Sequence, residues 1–227
     1  MLFPDLPGRL AEVAARVEQA RQRGGHGQTV TIVAVTKSYG PEAVEAAWDA
    51  GVHDVGENKV QEALGKMPLV TATVRWHLIG HVQRNKVKQL DAFELVHSMD
   101  SARLADSLAA HGDMRGRPVD VLAQVNVSGE GTKGGFAPAE LATEAGRWRG
   151  LQGLRVRGVM TMAPFDADAA TLRRVFAGTR ACAERLRDAG HEADILSMGM
   201  SGDFEVAVEE GATMVRLGTV LFGARAA

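Results

Sequence analysis

The chain has 227 residues, 45% of them apolar and 24% charged, which excludes disordered and fibrous classes and suits one compact domain. Twenty-six Lys and Arg against 28 Asp and Glu leave a net charge of −2, which argues against coating nucleic acid or an anionic membrane. The single cysteine, Cys182, excludes an intramolecular disulfide and a multi-cysteine zinc site and fits a reducing compartment.

No apolar run reaches the ~18 residues that span a bilayer. The first ten residues carry Asp5 and two prolines and lack the basic-then-apolar order of a signal peptide. These features set the expectation of a cytoplasmic protein. In chain order the pattern predicts a helix over 10–22, a strand over 30–37, a helix over 41–50 and a strand over 53–56 that runs into a helix with Gln61 and Glu62. Strands follow over 74–79 and 94–97, then a helix over 101–111, a strand over 119–127 and a helix over 138–148. The last third reads as a strand over 154–160, a helix over 169–189, a strand over 194–198, a helix over 203–210 and a strand over 213–217. Pro41 and Pro138 suit first helical turns, and Gly51, Gly112, Gly190 and Gly211 sit where helices end.

Eight β-branched runs, each followed by a helix or helical turn, imply a parallel sheet. At this length the count of eight favours a single closed (β/α)8 barrel of the TIM type over 1–227, with an extra N-terminal helix and no C-terminal β-domain. An open dinucleotide-binding sheet would need a Gly-rich first turn. Thr36-Lys37-Ser38-Tyr39-Gly40 stands there instead.

Function in such a barrel collects at the C-terminal strand ends. Alternation puts Val33, Val35 and Lys37 on one face, so Lys37 points into the barrel mouth, where desolvation would free its amine to attack a carbonyl. The plain alternative is an exposed lysine that opens a loop. Met214 and Arg216 share a face in the last strand, and Gly218-Thr219 opens the next turn with backbone N–H groups and a hydroxyl suited to an anion. Ser197-Met198-Gly199-Met200-Ser201-Gly202 follows the seventh strand with residues small enough for a phosphate to approach, although Gly and Ser dominate ordinary turns as well. Together these turns suggest a phosphorylated ligand. Asn58 is placed to cap a helix or to face that ligand.

Several other signals are weak. His77 and His81 are four apart, but Leu78 stands where a zinc-protease helix needs Glu, so His77 reads as a hydrogen-bonded core histidine. The glycines of 129–135 do not match a phosphate-binding P-loop, and Ser201 lacks a G-x-S-x-G elbow because Asp203 replaces the last glycine. Glu42, Glu45 and Asp49 fall on a solvated helix face, and Cys182 reads as a buried small residue.

Ala34-Val35-Thr36-Lys37, Gly56-Glu57-Asn58, Trp76-His77-Leu78-Ile79-Gly80 and Gln83-Arg84-Asn85-Lys86 follow one another in a characteristic order. So do Val96-His97-Ser98-Met99-Asp100, Gln124-Val125-Asn126-Val127-Ser128, Lys133-Gly134-Gly135, Gly158-Val159-Met160, Leu196 to Ser201, Val215-Arg216-Leu217-Gly218 and Phe222-Gly223-Ala224-Arg225. In this order and spacing the chain resembles the pyridoxal 5′-phosphate homeostasis protein family over nearly its whole length. The resemblance implies an alanine-racemase-like barrel in which Lys37 holds pyridoxal 5′-phosphate as a Schiff base and Arg216 faces the pyridine nitrogen. It implies a phosphate held near Ser197, Ser201, Gly218 and Thr219, with Asn58 beside the cofactor.

Two functions from different classes stay open. One is a carrier that buffers the cofactor and supplies it to apo-enzymes, as a monomer rather than an obligate dimer; the other is an amino-acid racemase or decarboxylase. The racemases brought in by the resemblance add a C-terminal β-domain, and a partner subunit supplies a tyrosine to the cofactor's second face. The sequence runs to Ala227, just past the eighth strand, and its only tyrosine is Tyr39, so a carrier without turnover is expected. Arg216 points the same way, since a guanidinium keeps its proton and weakens the ring as an electron sink, although the racemases share it. A Schiff-base aldolase would explain Lys37 but not the paired phosphate turns with Arg216.

Overall fold

The computed structural model describes residues 3–131 and 134–223, so Lys133 and Ala224-Arg225 of the resemblance lie outside the described residues. Eight parallel strands close into one barrel in sequence order. They are β1 (Thr31–Val35), β2 (Asp54–Glu57), β3 (Arg75–Leu78), β4 (Leu95–Met99), β5 (Val119–Gln124), β6 (Leu154–Met160), β7 (Ile195–Ser197) and β8 (Met214–Leu217). The pairing of Val33 with Arg216 and of Ala34 with Leu217 joins the first strand to the last. The helices are α1 (Leu6–Gly24), α2 (Pro41–Asp49), α3 (Val60–Lys66), α4 (Ala102–Met114), α5 (Pro138–Trp148), α6 (Ala169–Asp188), α7 (Phe204–Glu209) and α8 (Thr219–Phe222). A 3₁₀ turn, Arg84–Gln89, takes the place of a helix after β3. The expected (β/α)8 barrel with its N-terminal helix is therefore what the chain forms.

Strand alternation divides the core in two. Val33, Leu95, Leu122, Met160 and Met214 fill the barrel interior, while Ala34, Val55, Leu78, Val96, Val121 and Val215 face outward into the larger cluster with the helices. Helix α6 shows how the outer layer is built. Asp168 caps it by accepting from the Thr171 N–H at 2.7 Å, and Leu172, Val175, Phe176, Thr179, Cys182, Ala183 and Leu186 recur at helical spacing on its buried face. Cys182 is buried as expected.

Strand β1 ends at Val35 rather than at Lys37, and three boundaries differ from the sequence reading by more than two residues. Helix α1 starts four residues early because Pro7 occupies its first turn, where a missing N–H costs nothing, and Gly25 at φ +69° closes it. Helix α4 runs through Gly112 to Met114. Gly112 is there for close packing and does not end the helix: a Cβ on it would lie 2.0 Å from the Gly153 carbonyl oxygen. Strand β5 ends at Gln124 rather than at 127, because the Asn126 N–H turns to the Phe136 carbonyl at 2.9 Å and the chain leaves the barrel to pair with its own loop. Gly51, Gly190 and Gly211 do follow helix ends, each with φ near +90°.

Candidate functional site

Lys37 lies two residues beyond β1, half-buried at the mouth, with no hydrogen bond or ion pair to the described residues. The chain around it is held firmly. The Tyr39 N–H donates to the Thr36 carbonyl at 3.1 Å, and Ser38 between them takes φ +65°, an uncommon conformation for a residue with a side chain. Glu62 on α3 accepts from the Ser38 N–H. Below this turn, the Lys66 ammonium donates to the Thr36 carbonyl at 2.9 Å and to Glu57, which also accepts from the Thr36 hydroxyl at 2.7 Å. Glu57 is fully buried, and burial pushes its carboxyl up against the opposing pull of Lys66 and Thr36. This buried set fixes the strand end from which Lys37 projects.

Arg216 points inward from β8, as the alternation predicts, and is 5% exposed. Its Nη1 donates to the Ser197 carbonyl at 2.8 Å and to the Ser197 hydroxyl at 2.7 Å, and its Nη2 donates to the Thr161 carbonyl at 2.9 Å. No carboxylate forms an ion pair with it among the described residues. Burial draws its pKa down to about 10, with Asp203 opposing, so the guanidinium is still charged at neutral pH.

Ser201 and Gly218 meet where the loops after β7 and β8 approach each other. The Ser201 hydroxyl accepts from the Gly218 and Val220 N–H groups at 3.4 and 3.3 Å, long bonds that leave those donors weakly engaged. Thr219 between them is exposed. A Cβ on Gly218 would sit 3.5 Å from the Val35 Cβ, so this turn adjoins the strand end that carries Lys37. Ser197 behaves differently. It is fully buried and bound to Arg216, four residues before the turn.

Asn58 follows β2 and is half-buried. It does not cap α3, whose first flanking residue is Lys59, and its side chain makes no hydrogen bond to the described residues. Tyr39 packs its ring against Phe3 and Phe222 at centroid distances of 5.6 and 5.2 Å.

His77 is the hydrogen-bonded core histidine that the sequence suggested. Its Nε2 lies 2.9 Å from Asp54 and its Nδ1 lies 3.0 Å from His97. His97 in turn reaches the Ser197 hydroxyl at 3.0 Å. Asp54 is held down to about 2: burial would raise it, but hydrogen bonds from His77 and Arg75 prevail. Burial, helped by His77 and Arg216, drives the His97 imidazole well below its ordinary range, which keeps it neutral. The sequence reading did not assign Asp54, His97 or the link to Ser197. The available signal was parity, since Asp54 shares the inward face with Gly56, and His97 with Leu95.

A closed (β/α)8 barrel with a lysine two residues past its first strand, a buried arginine on its last and a Ser/Gly turn between its final loops has the architecture of the alanine-racemase class. The family description "Alanine racemase, N-terminal domain" matches residues 9–226. The pyridoxal phosphate homeostasis protein of Pseudomonas aeruginosa is 43% identical over 219 residues, covering 95% of this chain and 94% of that one. The protein of the same name from Aquifex aeolicus is 39% identical, covering 96% and 97%. Among solved structures, PipY of Synechococcus elongatus PCC7942 with PLP bound superposes with a TM-score of 0.85 at 34% identity, over 96% of this chain and all of that one. The chain belongs to the pyridoxal phosphate homeostasis protein family.

Proposed function

We propose that this chain binds pyridoxal 5′-phosphate (PLP) and serves its homeostasis, holding and handing on the cofactor without amino-acid turnover. The observation that carries the reading is the convergence of Lys37, Arg216 and the Ser201–Gly218 turn on one barrel mouth, in a family whose member PipY was solved with PLP bound. The residues fit the group. Three of the five Arg216 N–H bonds are engaged by Ser197 and Thr161, which leaves two for a ring acceptor. The Lys37 amine and the Asn58 amide make no hydrogen bond to the described residues.

When bound, PLP supplies an aldehyde that an amine captures and a ring that stabilises negative charge. In this reading Lys37 Nζ holds that aldehyde carbon, and the Arg216 guanidinium donates to the ring nitrogen and leaves it without a proton. Ser201, Gly218 and Thr219 hold the phosphate, and Asn58 lies beside the ring. Ser197 is assigned to Arg216 rather than to phosphate, because its hydroxyl is taken up in the buried network.

The absence of turnover rests on the second face. Racemisation needs one group to take a proton and another, across the substrate, to return it. Lys37 is available for one side. Tyr39 is turned into the Phe3–Phe222 cluster, and His77 is tied between Asp54 and His97. The partners are then PLP and PLP-dependent apo-enzymes, in the cytoplasm, with no nucleic acid and no membrane. No described helix is long and apolar enough to cross a membrane. A monomer is the expected state.

The experiment is deuterium incorporation from heavy water into a panel of L- and D-amino acids, read by mass spectrometry with the PLP-loaded protein. Exchange no faster than with free PLP is expected. Rapid exchange with any amino acid, abolished in Lys37→Ala, would make the protein a racemase-like enzyme.

A further inference from the structure

A barrel of this kind is ordinarily filled by branched apolar side chains, and Val33, Leu95, Leu122, Met160 and Met214 do fill much of this one. Through them runs an unbroken polar chain. Arg75, at the end of the barrel away from the mouth, binds Asp54 with Nε at 2.8 Å. Asp54 meets His77 at 2.9 Å, His77 meets His97 at 3.0 Å, His97 meets Ser197 at 3.0 Å, and Ser197 meets Arg216 at 2.7 Å. Asp54, His77, His97, Ser197 and Arg216 are all buried.

The donors and acceptors of this chain admit one order. A guanidinium only donates, so Ser197 Oγ accepts from Arg216 at one end. An ionised carboxylate only accepts, so the His77 Nε2–H donates to Asp54 at the other. The buried Ser197 hydrogen has its acceptor in His97 Nδ1, so His97 donates from Nε2 and His77 Nδ1 accepts. With the opposite order, the Ser197 hydrogen would be buried with no acceptor among the described residues, at a cost comparable to a lost hydrogen bond. Every hydrogen therefore points from Arg216 toward Asp54.

We propose that Asp54, His77 and His97 are positioning residues for the cofactor site: they fix the Ser197 hydroxyl as an acceptor for Arg216 Nη1 and so lock the guanidinium with its free N–H groups toward the mouth. The effect on the cofactor rests on the PLP reading above; the direction of the array does not. A fully paired buried network of this kind specifies one geometry where an apolar filling would leave Arg216 rotatable about its last bonds.

The test has two parts. In cofactor-free protein labelled with ¹⁵N-histidine, NMR should find His77 and His97 neutral at pH 7.5, each with its proton on Nε2. A proton on His97 Nδ1, or a doubly protonated His77, overturns the array. The second part compares His97→Leu, which has no polar side-chain atom, with His97→Gln, whose amide keeps an acceptor oxygen and a donor nitrogen. His97→Leu should weaken PLP binding by roughly tenfold and shift the visible absorption of the bound cofactor, while His97→Gln should recover most of both. Unchanged affinity and spectrum in His97→Leu, or an equal loss in both variants, would reduce the position to packing and overturn the proposal. If His97→Leu does not fold, the wild-type proton positions and the Gln variant decide. If the wild type does not bind PLP, the functional reading falls, while the histidine protons still report on the array.

Discussion

Arg216 keeps its charge in a place where burial works against it, with the charge of Asp203 opposing that effect and hydrogen-bond acceptors packed around the guanidinium. Three oxygens accept from it, two of them backbone carbonyls that cannot titrate. Asp54 is the reverse case, a carboxylate held charged by His77 and Arg75. Its folded pKa of about 2 lies below the ordinary 3.8, so the unfolded chain binds more protons between those values. Its contribution to stability is complete above pH 3.8 and is lost as pH falls toward 2, by about 2 kcal/mol at ~1.4 kcal/mol per unit. Urea unfolding at pH 5 and pH 2.5 should therefore show the stability gap between wild type and Asp54→Asn narrowing in acid; a constant gap would contradict the assignment. At the mouth, Ser201→Ala removes one hydroxyl and should cost about 1 kcal/mol of PLP binding, and Thr219→Ala a similar amount. Pyridoxal, which has no phosphate, should bind far more weakly than PLP and be little affected by either change. Equal affinity for both compounds, measured by spectral titration, would remove the phosphate from this turn.

At the scale of elements, glycine placement explains both where the barrel packs tightly and where the sequence misleads. Gly112 on α4 and Gly153 before β6 touch backbone to backbone, and a Cβ on Gly112 would lie 2.0 Å from a carbonyl oxygen. Gly112→Ala should lower stability by about 1–3 kcal/mol or more through overpacking. Gly8→Ala on α1, where nothing lies within 4 Å, should be neutral or slightly stabilising. Thermal unfolding of the two variants checks this, and equal melting temperatures would contradict it. In the sequence Gly112 looked like a helix end because a lone glycine marks a stop and a close approach alike. The difference lies in a partner 41 positions away that no local window contains. The period-two and helical patterns were legible for the opposite reason: each records which face of one element meets the core, although register shifts interrupt the alternation in β4 and β6.

For the whole molecule, the same distinction decides how much of the site could be read. The inward direction of Arg216 follows from parity along one strand, whereas Lys37, read by the same parity as the end of β1, stands two residues past it in a turn. The Ser201–Gly218 turn follows from the rule that the last two loops of such a barrel meet. The polar chain from Asp54 to Ser197 joins β2, β3, β4 and β7 across the interior, and only closure of the barrel brings those strands together. Ser197 accordingly looked like a phosphate ligand, while in the folded chain it lies beneath Arg216. Both halves serve one arrangement, a rigid floor under a mouth whose lysine makes no hydrogen bond to the described residues. In the proposed function this lysine, Lys37, carries PLP. Purified protein should be incubated with PLP, reduced with borohydride and mapped by peptide mass spectrometry. A single phosphopyridoxyl adduct on Lys37, absent from Lys37→Ala, is expected. An adduct in the wild type on Lys59, Lys86 or Lys133 instead, or an undiminished adduct in the variant, would contradict it.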